Sequence, residues 1–306
     1  MTKKKFILIV LSIAALIAVS DIGFGLVMRW YIRNRDIPGD YRKIEYMRKH
    51  LKAEILLLGA STCMNSINPD LLRNEIGKSV FNGGLNDQRL ELFDIMSDMI
   101  IRRSPPELLV LVLRPNDLTV SGKGRLSMMN IYYHLGNGKL DHYLNQDSLK
   151  KKILLNSALY RFNTYWWRIM LYNFKSFNEL AHGGFVGKPV PRFPPGRIMA
   201  PSNKPPVNLK KLQCLKNILE TCRRAGTRLW IVIPPEYYQH DIGSEAPGLA
   251  HIRNFCSENK ILFVDDSQHP DFMPHPEYFF DNNHLNVHGA EKYTRRFLNL
   301  LRKNGF

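Results

Sequence analysis

Six unbroken apolar residues, Leu108 to Leu113 (LLVLVL), constrain this chain more than any other stretch. A strand with one wet face alternates apolar and polar residues, so an uninterrupted run predicts a strand covered on both faces, as in a parallel sheet. Similar runs precede and follow it. Glu54 to Leu58 (EILLL), Ser79 to Asn82, Arg228 to Ile233 (RLWIVI) and Ile261 to Val264 read as further strands. Helical periodicity separates them at Pro69 to Ile76, Gln88 to Arg103, Val207 to Arg224, Pro247 to Asn259 and Val287 to Arg302. Five strands alternating with helices predict an α/β fold, a three-layer α/β/α sandwich on a five-stranded parallel sheet. Ligands then meet the C-terminal strand ends.

Two regions depart from the alternation. Residues 1–5 carry three lysines, and residues 6–28 follow as 23 mostly apolar residues. As a helix these span about 34 Å at ~1.5 Å per residue, enough to cross a bilayer. Ala18 and Ser20 also suit signal cleavage before Asp21. The uncleaved anchor is the preferred reading, although it places Asp21 inside the span. Residues 29–51 read as a basic juxtamembrane linker and 52–306 as the main domain. Arg29, Arg33, Arg35, Arg42 and Lys43 follow the span, so basic residues on both sides leave orientation undecided by charge. The second departure is an insertion at residues 121–206. Tyr160 to Phe177 holds eight aromatics in eighteen residues, and Val186 to Pro206 holds seven prolines. Trp166 and Trp167 are candidates to stack on a sugar ring, although aromatics at helical spacing more often pack. Following the third strand, the insertion is a candidate lid.

Lys and Arg exceed Asp and Glu by 43 to 27, a net charge of +16. A polyanion or anionic surface is the expected partner. Nucleic acid would account for the charge but not for the apolar N-terminus. Cys214 and Cys222 sit too far apart on one helix to pair, and either could reach Cys63 or Cys256, so the redox compartment stays open.

The chemistry lies at strand ends. Gly59-Ala60-Ser61 puts a hydroxyl between a buried strand and a helix start, where the helix N-terminus favours a nearby oxyanion. Asp281-Asn282-Asn283-His284 precedes the last helix; the aspartate can hold Nδ1 of the histidine and leave Nε2 to take a proton from a serine. A metal site from His269, His275, His284 and His288 with Asp281 has irregular spacing, and no P-loop glycines or lysine follow Ser61.

Together these blocks resemble the SGNH, or GDSL-type, serine hydrolases and acyltransferases. Gly59-Ala60-Ser61 corresponds to the first block, Asn82-Gly83-Gly84 to the second, Arg114-Pro115-Asn116-Asp117 to the third, and Asp281 to His284 to the fifth. Ala60 stands where the family has aspartate, as in membrane-anchored relatives of the DltD and alginate-acetylation type. Arg114 stands where it has glycine. The resemblance implies Ser61 as nucleophile, His284 as base and Asp281 as its orienter. It implies an oxyanion site from the N–H groups of Ser61 and Gly84 and the Asn116 amide, with Arg114 beside the substrate. No metal and no cofactor is called for. With the anchor, it implies an esterase or O-acyltransferase on an envelope polysaccharide, outside the cytoplasmic membrane, with a membrane-bound acyltransferase as a further partner. The alternative is a glycan-binding or assembly protein that keeps the fold without turnover.

Overall fold

The computed structural model describes residues 2–35, 39–119, 129, 138–145, 149–163, 165–172, 178–199, 206–239 and 247–306. The chain divides into two units, Met1–Gly39 with Leu126–Phe177, and Asp40–Arg125 with Asn178–Phe306.

The larger unit holds the sheet. Its strands are β1 (Ile55–Gly59), β2 (Val80–Asn82), β3 (Leu108–Val112), β4 (Arg228–Ile233) and β5 (Leu262–Asp265). All pair in parallel, in the order β2-β1-β3-β4-β5, with Gly59 beside Val112. The predicted strands are present, with ends shifted by a residue or so, and the α/β sandwich expected from their pattern is the observed fold. Every residue of β1 and β3 is buried. Each enclosed leucine side chain contributes about 2 kcal/mol of burial, so an unbroken apolar run is stable only at the centre of such a sheet.

Helices cover both faces. On one, Leu57, Val110 and Val232 share a core with Tyr293, Phe297 and Leu301 of the C-terminal helix Val287–Lys303. Helices Leu90–Arg103 and Leu209–Ala225 pack against each other to form another layer. All four cysteines are free and buried.

The supposed juxtamembrane linker is corrected in its second half. Residues Asp40–Lys49 form a helix that belongs to the sheet unit and buries Tyr41, Lys43, Ile44 and Met47. Apolar residues at i, i+3 and i+6 give that helix an inward stripe, which the surrounding charges hide in a composition count. The insertion is also divided: residues 178–199 and 206 go with the sheet, and the described part of 126–177 with the N-terminus. Residues 121–128 of the insertion lie outside the described residues.

In the smaller unit, helix Lys3–Asn34 contains the predicted span and is long and apolar enough to cross a membrane. Asp21 has a specific use there. Its carboxylate accepts the Ser157 hydroxyl at 2.7 Å and the N–H groups of Ala158 and Leu159 at 3.0 and 2.7 Å. It thereby caps the short helix Ala158–Phe162, whose Phe162 ring meets Phe24 edge-on at 5.8 Å. A carboxylate within an apolar helix is satisfied in this way by a neighbouring helix start.

Candidate active site

β1 delivers Ser61 to the C-terminal edge of the sheet. A Cβ on Gly59 would lie 2.5 Å from the Val112 carbonyl oxygen and 2.6 Å from Cys63 Cβ, so glycine lets β1 and β3 close up just before the turn. Ala60 then occupies the N-cap of helix Ser61–Ser66 without a side-chain capping bond. The helix starts at the serine itself, leaving the first-turn N–H groups without a side-chain acceptor at the cap.

His284 arrives from the other end of the chain. Strands Phe279–Asp281 and His284–Leu285 pair antiparallel, making a hairpin before the last helix. Asn286 locks it in place: its amide donates to the Glu277 carbonyl at 2.7 Å, and its oxygen caps His288 and Gly289. Ser61 Oγ lies 2.8 Å from His284 Nε2, and His284 Nδ1 lies 2.8 and 2.9 Å from the two oxygens of Asp281. An ionised carboxylate only accepts, so Nδ1 carries the proton and Nε2 is left to accept from the serine hydroxyl. Burial would raise the Asp281 carboxyl, but bonds from the His284 ring and from the N–H groups of Asn283 and His284 outweigh it and hold the carboxyl below its ordinary value. The sequence separation of 223 residues between serine and histidine is closed by the sheet.

Two expected oxyanion donors are placed differently. The Gly84 N–H donates to Asn82 Oδ1 at 2.9 Å, and its carbonyl accepts Lys43 Nζ at 2.6 Å. Asn82 in turn donates to the carbonyls of Cys63 and Ile67 at 2.8 and 2.9 Å, so the second block serves the interior. Asn116 does not line the cavity at Ser61; its carbonyl accepts the Thr119 N–H at 2.9 Å, and its backbone lies near Gly248. From that block it is Arg114 and Asp117 that face the cavity. Arg114 places two guanidinium nitrogens at 3.3 and 3.2 Å from Asp117 Oδ1, while its own N–H bonds Oδ2 at 2.9 Å. With arginine in place of glycine, the turn closes on its own side chains.

Lys43 was not a candidate from sequence, since nothing in a basic stretch distinguishes the one lysine that is buried. Its ammonium also bonds the Gly184 carbonyl at 2.6 Å, tying the turn after β2 to the short turn Ala181–Gly184. Burial pushes it down to about 8, against the opposing fields of Cys63, Asp40 and Glu179.

Ser61 and His284 open on a cavity of about 310 Å³. Arg89, Lys188 and Lys211 line it as well, and none of them was singled out in the sequence. The Glu236 carboxyl is pushed up to about 8 by burial, with Asp117 and Asp265 raising it further and Arg114 opposing them. A second cavity, about 260 Å³ and lined by Val232, Tyr293 and Phe297 among others, includes none of Ser61, His284 and Asp281. Trp166 and Trp167 belong to the smaller unit, where their rings stack on each other at 4.0 Å and Trp167 is exposed.

No protein family description matches the chain, and no curated protein matches it. Among solved structures it is similar to a GDSL-like lipase of Bacteroides thetaiotaomicron VPI-5482, at 11% identity and a TM-score of 0.41, over 92% of this chain and 99% of the other. It is also similar to a lipase/acylhydrolase of Enterococcus faecalis, at 12% identity and a TM-score of 0.39, over 82% and 95% of the two chains.

Proposed function

We propose that this chain is a membrane-anchored serine esterase or O-acyltransferase of the SGNH type. In this reading it acts on acyl groups of a cell-envelope polysaccharide through an acyl-serine intermediate. The observation that carries the reading is the continuous hydrogen-bonded line from Ser61 Oγ through His284 to Asp281, opening on a cavity. Ser61 gives its proton to His284 Nε2 as its oxygen bonds the ester carbonyl carbon. The tetrahedral oxyanion accepts from the Ser61 N–H at the start of the helix. Collapse breaks the original ester bond, and His284 returns the proton to the departing alcohol. Water or a sugar hydroxyl then attacks the acyl-serine, gives its proton to His284, and leaves as an acid or a new ester. The proton passes back to Ser61.

A fluorophosphonate probe tests the nucleophile. The detergent-solubilised full chain is expected to label at one serine, and Ser61→Ala to lose the label while keeping its circular dichroism spectrum. Labelling that survives in Ser61→Ala would remove Ser61 from the reaction, and a wild-type chain that never labels would favour the glycan-binding alternative.

The anchor and the polysaccharide place the main domain outside the cytoplasmic membrane in this proposal. The three lysines before the span support that side, since a basic tail at the start of an apolar helix is how an exported chain begins. Alkaline phosphatase joined after Phe306 should be active and a cytoplasm-only fluorescent reporter dark. The reverse pattern would put the domain in the cytoplasm and exclude an envelope polymer.

A further inference from the structure

The first part of helix Lys3–Asn34, from Phe6 to Ser20, is exposed on every side. At ~1.5 Å per residue it spans about 22 Å, short of the ~30 Å hydrocarbon core that a spanning helix must cross. The core therefore has to reach the next turns, Asp21 to Gly25, and there the helix is no longer bare. Helix Ala158–Phe162 packs on it: Asp21 takes the Ser157 hydroxyl and the N–H groups of Ala158 and Leu159, and Phe162 meets Phe24. A Cβ on Gly25 would stand 2.8 Å from Ala158 Cβ, so the glycine admits the close approach of the two helices. A segment fixed to those turns shares their depth in the bilayer.

The turn into Ala158–Phe162 also suits a place without water. From Leu155 to Arg161 every backbone N–H has a partner inside the chain. Those of Ala158 and Leu159 go to Asp21, that of Tyr160 to Ser157 Oγ at 3.2 Å, and that of Arg161 to the Ser157 carbonyl at 3.1 Å. The buried Arg161 guanidinium donates to the Leu155 carbonyl at 2.9 Å. A turn in water leaves such groups to the solvent, whereas irregular backbone at membrane depth is tolerated only when they are bonded internally.

The outward side chains complete the pattern. Leu149 and Ile153 stand four apart on helix Leu149–Leu154, Trp167 and Leu171 four apart on helix Tyr165–Tyr172, and all four are exposed, as is Leu159. Three residues separate Leu154 from Ala158, and Tyr165 follows Phe162 by three, so each helix starts or ends within about 14 Å of chain from the level that Asp21 fixes. Exposed Lys150 and Lys152 lie between Leu149 and Ile153. Aliphatic side chains fit the acyl boundary, tryptophan the headgroup level, and lysine the phosphates of anionic lipid.

We propose that helices Leu149–Leu154, Ala158–Phe162 and Tyr165–Tyr172 lie in the bilayer leaflet at the C-terminal end of the span, on anionic phospholipid. Leu159 reaches the acyl chains, and Lys150 and Lys152 meet the phosphates. The inference rests on the anchor reading and not on the serine chemistry. It gives the chain a second membrane contact, which holds the span at one rotation about its own axis.

Nitroxide labels on single introduced cysteines test the placement in the full chain, reconstituted in vesicles of phosphatidylcholine with about one third phosphatidylglycerol. The four native cysteines are buried, and the wild type treated alike gives the background. Collision with oxygen, which concentrates in lipid, is compared with collision with a water-soluble nickel chelate. At Leu159→Cys the oxygen-to-nickel ratio should be at least ~10-fold that at Glu291→Cys, on an exposed ion pair of the last helix. Leu16→Cys, in the bare stretch, reads the span itself. A lipid-like ratio at Leu16 with a water-like one at Leu159 would overturn this inference, keep the anchor, and leave the face to a protein partner. Water-like ratios at both would remove the anchor and this inference with it. Omitting phosphatidylglycerol should lower the ratio at Ile153→Cys by ~2-fold or more, and Lys150→Gln with Lys152→Gln should lower it as much in the mixed vesicles. A ratio at Ile153 that neither change moves would overturn the anionic-phospholipid assignment.

Discussion

Replacing His284 with alanine is expected to lower kcat/KM for p-nitrophenyl acetate by ~10³-fold or more, because the serine hydroxyl then has no base within hydrogen-bond reach. Asp281→Asn should cost ~10²-fold to 10⁴-fold. The amide cannot accept the Nδ1 proton as the carboxylate does, so the tautomer that leaves Nε2 free is no longer favoured. The Ser61→Ala, His284→Ala double variant should be no slower than the worse single one, as groups acting on one proton transfer are not additive. Initial rates with matched circular dichroism spectra check all three. A His284→Ala chain within tenfold of wild type would mean that the 2.8 Å contact between Ser61 and His284 has no part in turnover.

The second large effect concerns Glu236. Its carboxyl is pushed up to about 8 in the folded chain, from an ordinary value of 4.5. Between those values the folded state holds a proton that the unfolded state has released. The stabilisation is therefore fully present below pH 4.5 and is lost as pH rises to about 8. A gap of this size corresponds to a few kcal/mol, roughly 3 to 5, at 1.36 kcal/mol per pH unit. The thermal midpoint of the solubilised wild type should fall between pH 5 and pH 8.5, and Glu236→Gln, which keeps the shape and cannot ionise, should fall much less. Lys43 acts in a different window. With its ammonium lowered to about 8 from 10.5, the folded state releases its proton first, and its contribution rises with pH only above 8. Parallel midpoint curves for wild type and Glu236→Gln from pH 5 to 8.5 would show that the carboxyl is not held neutral.

The hydrogen-bonded line from Ser61 through His284 to Asp281 was readable because each of its parts is local in sequence. Asp281 and His284 are three residues apart and bonded within one turn, and Ser61 directly follows the short Ala60 step from β1. The oxyanion assignment was less readable. It depended on which way a peptide or an amide turns, and that is set by contacts with distant residues: Lys43 pulls on the Gly84 carbonyl across 41 positions, and Arg114 folds its turn onto Asp117.

The sequence by itself determined the sheet. An apolar run such as Leu108 to Leu113 leaves no wet face, and only enclosure between two helical layers satisfies it, so strand number, direction and the edge that carries Ser61 followed from periodicity. The tertiary structure alone decided which charges meet. Arg89, Lys188 and Lys211 are ordinary basic residues in a chain of +16, with no periodicity to set them apart, and Arg114 was marked only by its place in the third block. The same holds for Lys43 among the charges of helix Asp40–Lys49 and for Glu236 after β4. Hydrophobic burial repeats along the chain and leaves a pattern in it. Electrostatic convergence depends on distances through space, which the order of residues does not contain until the chain has folded.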